Sequence, residues 1–308
     1  MSLENHPPKG EAAPETFSAK RLLLPQGGMA NFFAASDTLN LYRGCNHGCI
    51  YCDTRSECYH IDRFDTVRHK ENCIAMLEGE LRRKKQAGTV MMGAASDPYN
   101  HLEEKLCITR QALELLRRYH FGAGISTKGA LVARDAEVLC GIGKNAPCWV
   151  AFSITAAKDS LSALIEPGAP VSSLRFRAMA ALAKAGVFTG IWLNPVLPFL
   201  TDDWENLRTL LQATKESGGR FALCHFGMTL RTGNREYFFA ALDKEPSFRG
   251  IKQKYADSFQ LSYGCPSPNA EKLYGLFHKE CKRLGLLDSF PEVNRAMREG
   301  CPKQITMF

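Results

Sequence analysis

Short apolar, β-rich runs alternate along this chain with amphipathic stretches, the pattern of repeated βα units around a parallel sheet. Six units are predicted, with strands at Thr38 to Tyr42, Thr89 to Ala94, Gly122 to Ser126, Trp149 to Ile154, Phe188 to Leu193 and Phe221 to Phe226. Helices are expected between them at Asn72 to Gln86, Lys105 to Tyr119, Arg134 to Cys140, Ser173 to Ala185 and Trp204 to Glu216. In the fourth of these, Leu174, Ala178, Ala181 and Ala185 follow helical spacing, which predicts a small-residue face packed on the sheet. Beyond Met228 the alternation stops and helical stretches with Gly and Pro breaks continue. The expected organisation is a flexible arm over 1–34, a βα domain over 35–228, a mainly helical extension over 229–303 and a separate terminal peptide over 304–308. Six units are too few for a closed eight-stranded barrel, so the fold class is α/β, an open barrel of six βα units or a doubly wound sheet. In both, chemistry belongs at the C-terminal ends of the strands.

Directly after the first predicted strand comes Gly44-Cys45-Asn46-His47-Gly48-Cys49-Ile50-Tyr51-Cys52. Thiolates hold iron-sulfur clusters, and three within eight positions can wrap one cubane while leaving its fourth iron without a protein ligand. A ferredoxin supplies four cysteines and a zinc ribbon pairs two CxxC knuckles, whereas here the second pair is absent. The bland alternative is three unrelated thiols or a zinc site. Cys58, six residues on, reads as incidental.

Composition narrows the setting. The 308 residues carry a formal charge of +7 and twelve cysteines. No apolar run resembles a signal peptide or a bilayer span, so the expectation is a cytoplasmic protein without membrane contact, its cysteines serving thiolate chemistry in a reducing compartment. The basic balance permits nucleic acid as a partner without requiring it. The densest basic run, Leu81-Arg82-Arg83-Lys84-Lys85, reads as a solvated helix end favoured by the macrodipole.

The CxxxCxYC run resembles the signature of the radical S-adenosylmethionine (SAM) enzymes, Tyr51 included. That resemblance implies an open six-unit radical SAM barrel and a 4Fe-4S cluster on Cys45, Cys49 and Cys52, with SAM on the open iron. One electron from the cluster would then cleave SAM to a 5'-deoxyadenosyl radical. A one-electron reductant such as flavodoxin or ferredoxin is the implied partner. Tyr42-Arg43-Gly44-Cys45 and His47-Gly48 further resemble the spore photoproduct lyase-like subset. So do Ser96-Asp97, Ser126-Thr127-Lys128, Phe152-Ser153-Ile154 and Glu166-Pro167-Gly168, over roughly residues 39–198. By resemblance, Ser96, Lys128 and Ser153 contact SAM; read locally, each is a polar residue ending a strand. Asp97 can instead cap its own turn, and Glu166-Pro167-Gly168 reads as a turn. Tyr51 is expected to pack against the cluster or SAM. The subset implies DNA lesions as substrates, with a small metabolite, peptide or protein as the alternative, and a non-catalytic iron-sulfur redox or tethering protein as a third reading.

One departure stands out. Spore photoproduct lyase carries a hydrogen-donating cysteine just before the position similar to Ala95-Ser96-Asp97, where this chain has Ala94. Cys107, Cys140 and Cys148 remain as substitutes or as structural thiols. Cys265, Cys281 and Cys301 are too loosely spaced to predict a second cluster. His225, ending the sixth strand, is either a contact of the active site or a hydrogen-bonded structural histidine. The tail Gln304-Ile305-Thr306-Met307-Phe308 resembles the short motif that binds the bacterial sliding clamp, through Gln304, Met307 and Phe308; packing on the protein itself is the alternative.

Overall fold

A computed structural model describes residues 14–26, 33 and 35–299 of the chain. Its strands are β1 (Thr16–Phe17), β2 (Leu23–Pro25), β3 (Asp37–Leu39), β4 (Tyr42–Arg43), β5 (Arg68–Lys70), β6 (Thr89–Met92), β7 (Gly122–Thr127), β8 (Cys148–Ser153), β9 (Phe188–Val196), β10 (Phe221–Thr229) and β11 (Gly264–Pro266). Eight of them form one sheet in the order β11-β10-β9-β8-β7-β6-β3-β2. The six inner strands run parallel in chain order, as the six predicted βα units require. β2 and β11 pair antiparallel at the two edges, and among the described residues they do not pair with each other, so the inner strands make a partial barrel.

The helices are α1 (Cys73–Arg83), α2 (Glu103–Leu106), α3 (Ile108–Arg118), α4 (Ala136–Gly143), α5 (Asp159–Ile165), α6 (Ser172–Lys184), α7 (Trp204–Glu216), α8 (Asn234–Lys244), α9 (Ile251–Phe259), α10 (Ala270–Leu284) and α11 (Phe290–Glu299). Alternate strand residues face opposite ways. Val90, Met92, Ala123, Ile125, Val150, Phe152, Ile191 and Leu193 pack with helix residues such as Leu77, Leu113, Leu116, Leu182 and Leu211. Their neighbours Met91, Trp149, Ala151, Phe221 and Leu223 face the interior, where Phe33 and the α11 residues Val293 and Met297 join them. Among the described residues, no helix is long and apolar enough to cross a membrane.

Several expectations shift. The stretch Thr38 to Tyr42 is two strands: β3 ends at Leu39, and β4 joins β1 and β5 in a separate three-stranded sheet. Lys105 to Tyr119 is broken at Cys107, whose φ of 51° interrupts the helical run. The segment expected as a flexible arm contributes β1, β2 and the buried Leu22, Leu23 and Phe33. The face of α6 turns by about one residue: Leu174 and Ala181 are exposed, while Arg175, Ala178, Met179 and Leu182 are buried. Arg175 sets that phase because a buried acid holds it inward.

At the bottom of the partial barrel, Phe33 stacks on Trp149 with ring centroids 3.9 Å apart and meets Trp192 and Phe290 edge to face at 5.4 and 5.0 Å. Trp149 and Phe221 stand near the N-terminal ends of their strands, so this aromatic plug, with α11, fills the end opposite the cysteine loop. Truncation of a buried aromatic in such a plug removes both transfer energy and packing. Phe33→Ala is expected to cost about 3–5 kcal/mol of unfolding free energy in denaturant titrations.

Candidate active site

The cysteine loop is shaped by its backbone. Gly44 enters it at φ 81°, and a Cβ there would stand 2.6 Å from the Phe64 and Thr66 carbonyl oxygens, so only glycine fits. Cys45 N–H then donates to the Phe64 carbonyl at 2.9 Å. On the other side the loop lies on the turn after α5. Ile50 N–H donates to Ile165 O at 3.0 Å, and Gly168 N–H donates to His47 O at 2.9 Å. A Cβ on Gly168 would come within 2.1 Å of Asn46 O, which explains the glycine of Glu166-Pro167-Gly168.

Two carboxylates, the half-buried Asp97 and the buried Glu166, grip the loop. Asp97 accepts Tyr99 N–H at 2.8 Å, which makes the local cap expected of it. It also accepts the Thr127 hydroxyl at 2.6 Å and the Lys128 N–H at 2.8 Å, and its Oδ2 lies 3.4 Å from His47 Nδ1. One side chain thus ties the ends of β6 and β7 to the cysteine loop. Ser96 beside it donates its hydroxyl to the Gly44 carbonyl, which leaves its oxygen lone pairs to accept.

Glu166 does the same from the opposite side. Tyr51 donates its hydroxyl to Glu166 Oε1, and Arg175 Nη2 stands 2.6 Å from Oε2 in an ion pair without hydrogen-bond alignment. Arg175 also donates to the carbonyls of Pro170 at 2.6 Å and Ser153 at 2.8 Å. Burial alone would raise the Glu166 carboxyl, but Arg175 and Lys128 outweigh it and hold it below its ordinary value. Burial works against the Lys128 ammonium, yet a thiolate at Cys49 and the Glu166 carboxylate favour it and keep it above its ordinary value, with Nζ 5.6 Å from the centre of the Tyr51 ring.

These groups converge on one cavity of about 620 Å³, a size suited to a cofactor with a small ligand. Cys45, Cys49, Cys52, Tyr51, Ser96, Lys128 and Ser153 all line it, as do Asp97 and His225. His225 is exposed and has no hydrogen-bond partner among the described residues, so it faces the cavity rather than serving as a bonded structural histidine. Sequence reasoning missed Asn194, Trp192 and Thr229 on the β9–β10 wall, Gln26 just after β2, and Arg175 beneath the floor. Only Arg175 carried a signal, as a cation on the apolar stripe of α6.

The donor set fits an iron-sulfur cluster. Burial pushes the Cys45 thiol up to about 12 and, with neighbouring negative charge, the Cys49 thiol higher still; the Lys128 charge opposes the latter. Thiolates are the ligating form, so loading displaces protons from the loop. Among the described residues no three His, Cys, Asp or Glu side chains gather around a single ion. Cys45, Cys49 and Cys52 line one cavity, where each could ligate one iron of a cluster. Ala94 lines the cavity, and among the described residues no other cysteine does. Cys107 sits at the α2–α3 break, Cys140 on α4 and Cys148 at the start of β8. Cys265 and Cys281 belong to separate apolar clusters, so they do not pair into a second cluster site, and Cys301 lies outside the described residues.

The profile described as "Radical SAM superfamily" matches residues 39–211. An uncharacterized protein of Mycobacterium tuberculosis (strain H37Rv) is 33% identical over 212 residues, covering 67% of this chain and 62% of its own length. An uncharacterized protein of Methanocaldococcus jannaschii is 29% identical over 171 residues, covering 54% of this chain and 63% of its own. The chain thus spans about 62% of the length of the mycobacterial relative. Among solved structures, spore photoproduct lyase complexed with dinucleoside spore photoproduct superposes with a TM-score of 0.65 at 14% identity, over 89% of this chain and 80% of that one. A radical S-adenosylmethionine methyltransferase from Kitasatospora setae, with tryptophan substrate and a SAM analog bound, gives 0.53 at 10% identity, over 85% and 61%. At such identities the likeness is one of fold.

The buried Glu166–Arg175 pair generates a stability prediction. Glu166→Gln leaves the Arg175 charge uncompensated and is expected to cost about 3–5 kcal/mol at neutral pH. Because the folded carboxyl titrates below its ordinary 4.5, the wild-type advantage is full above that value and is lost as pH falls through the lowered one. Denaturant titrations of both proteins from neutral to strongly acid pH check this. A gap that persists or widens in acid would contradict it.

Proposed function

The chain belongs to the radical SAM superfamily, and from that premise we propose that it is an enzyme that cleaves SAM reductively and directs the resulting radical at a nucleic-acid substrate, such as a DNA lesion. The observation that carries the reading is the single cavity lined by the three loop thiols together with Ser96, Lys128 and Ser153. Cys45, Cys49 and Cys52 would hold a 4Fe-4S cluster, and the chemistry supplied when cluster and SAM are bound is one-electron cleavage to a 5'-deoxyadenosyl radical. The protein's own part is positional. Lys128 offers a buried ammonium to the SAM carboxylate, while Ser96 and Ser153 offer oxygens for its polar groups. Tyr51 is fixed by Glu166 and forms part of the wall beneath Lys128.

The nucleic-acid assignment is supported by the +7 charge and by the shared fold with a lyase whose structure holds a dinucleoside spore photoproduct. Ala94 places a methyl group in the cavity, so a hydrogen returned to a substrate radical would come from a group other than a thiol at that position. The proposed partners are a flavodoxin or ferredoxin as the one-electron reductant and, on the resemblance of the tail through Gln304, Met307 and Phe308, a bacterial sliding clamp. Those three residues lie outside the described ones. Deletion of Met307 and Phe308 is expected to abolish clamp co-purification, and unchanged recovery would remove the clamp from the proposal.

Anaerobic production of 5'-deoxyadenosine by the reconstituted, reduced protein tests the main reading, with no DNA, undamaged DNA and UV-irradiated DNA compared. Stimulation by irradiated DNA is the expected result. Cleavage indifferent to DNA would move the substrate to a small metabolite, peptide or protein, and iron binding with no SAM cleavage would leave a redox or tethering protein. Cys49→Ala should lose the cluster absorbance as well as the cleavage. Lys128→Ala removes a charge-assisted contact worth about 1.5–3 kcal/mol, so SAM should bind roughly tenfold to a hundredfold more weakly by equilibrium dialysis, with iron content unchanged.

A further inference from the structure

A second recess, of about 360 Å³, lies on the flank of the edge strand β2 and is lined by Lys20, Arg21, Leu23, Glu80, Arg83 and Lys84. Two of its charges are already engaged. Glu80 accepts the Leu22 and Leu23 N–H groups at 2.9 and 2.8 Å, so its carboxylate fixes the chain against α1. Lys84 Nζ lies 2.5 Å from the buried Asp37 carboxylate. Lys20, Arg21 and Arg83 are exposed and have no hydrogen bond or ion pair among the described residues. The helix macrodipole accounts for cations at the end of α1. It does not account for Lys20 and Arg21, which arrive from a separate segment and face the same recess.

The segment that carries those two cations continues into the catalytic cavity. Pro25 and Gln26 line that cavity, and Gln26 Oε1 is buried without a hydrogen-bond partner. Lys20 and Gln26 are six residues apart, about 20 Å in an extended chain. The basic recess and the cavity therefore sit along one edge of the sheet, within the reach of a few nucleotides. An extended polyanion satisfies both ends of this track. An anionic membrane suits it less, because the recess is concave and presents little apolar surface for insertion.

We infer that this recess binds backbone phosphates of the nucleic-acid strand whose reactive unit enters the cavity, an inference that rests on the nucleic-acid reading proposed above. Phosphate contacts of this kind position a strand without reading its sequence, and they register in the salt dependence of binding.

The test is fluorescence anisotropy of a labelled single-stranded oligonucleotide with the full-length, cluster-loaded protein across a salt series. Arg21→Gln combined with Arg83→Gln should weaken binding by about tenfold at low salt and flatten the slope of log affinity against log salt by about 1.4. Its melting temperature and DNA-independent SAM cleavage should stay unchanged. Lys272→Gln with Lys279→Gln, both exposed on α10, serves as the control and should leave binding intact. DNA bound by the double variant with unchanged affinity and slope overturns the recess while leaving the substrate class standing. No DNA binding by the wild type overturns both. Loss of binding to phosphatidylserine vesicles with DNA binding retained assigns the recess to a membrane surface instead and also overturns it.

Discussion

The ion pair between Glu166 and Arg175 is the constraint around which the candidate site is assembled. Both side chains are almost wholly out of water, where an unpaired charge would cost several kcal/mol. Each therefore takes every partner within reach. Glu166 takes the Tyr51 hydroxyl from the cysteine loop, and Arg175 takes the carbonyls of Pro170 and Ser153. One pair thus joins α6, the end of β8, the turn after α5 and the cysteine loop. The same pair fixes the rotation of α6, since Arg175 must point inward to meet the carboxylate.

Asp97 supplies the counterpart on the other side of the loop, and Lys128 faces the cavity between the two acids. Asp97 and Glu166 carry two negative charges and Lys128 and Arg175 two positive ones, so the protein's own formal charges balance before any ligand arrives. Lys128 opposes the burial that pushes the Cys49 thiol up, and a thiolate formed there on loading would favour the ammonium in turn. A wall prearranged in this way needs little reorganisation on binding a charged cofactor, which is the sense in which polar groups fixed in a water-poor site act most strongly.

The parallel order of the sheet was legible because β6 to β10 are flanked by clear turn signals and carry apolar residues on both faces. The limits of α7, Trp204–Glu216, were read without error. What escaped depended on partners distant in sequence. The phase of α6 needed Glu166. The split of the first strand needed β5, which lies beyond the cysteine loop, to draw Tyr42 and Arg43 into another sheet. β2 and β11 are three-residue edge strands whose pairing, rather than their composition, makes them strands. In the site, the residues read from the cysteine spacing and from the short polar motifs at the ends of β6, β7 and β8 line one cavity. Asn194, Trp192 and Gln26 were not, because single polar or aromatic residues in an apolar strand or near a turn have no spacing to betray them.

The two walls of the cavity differ in how tightly they are constrained, and this bears on where substrate choice resides. On the β3-to-β8 side, Ser96, Asp97, Tyr51 and the floor beneath Lys128 are tied into buried networks, so a substitution there disturbs the loop that would hold the cluster. On the β9–β10 side, Asn194 and His225 are exposed and carry no such network among the described residues. Their exchange would change what the cavity recognises while leaving the cysteine loop in place. Loop- and rim-borne residues on a fixed scaffold are where one fold acquires different substrates. Asn194 and His225 line the same cavity free of the contacts that shape the cysteine loop, so their exchange disturbs that loop least.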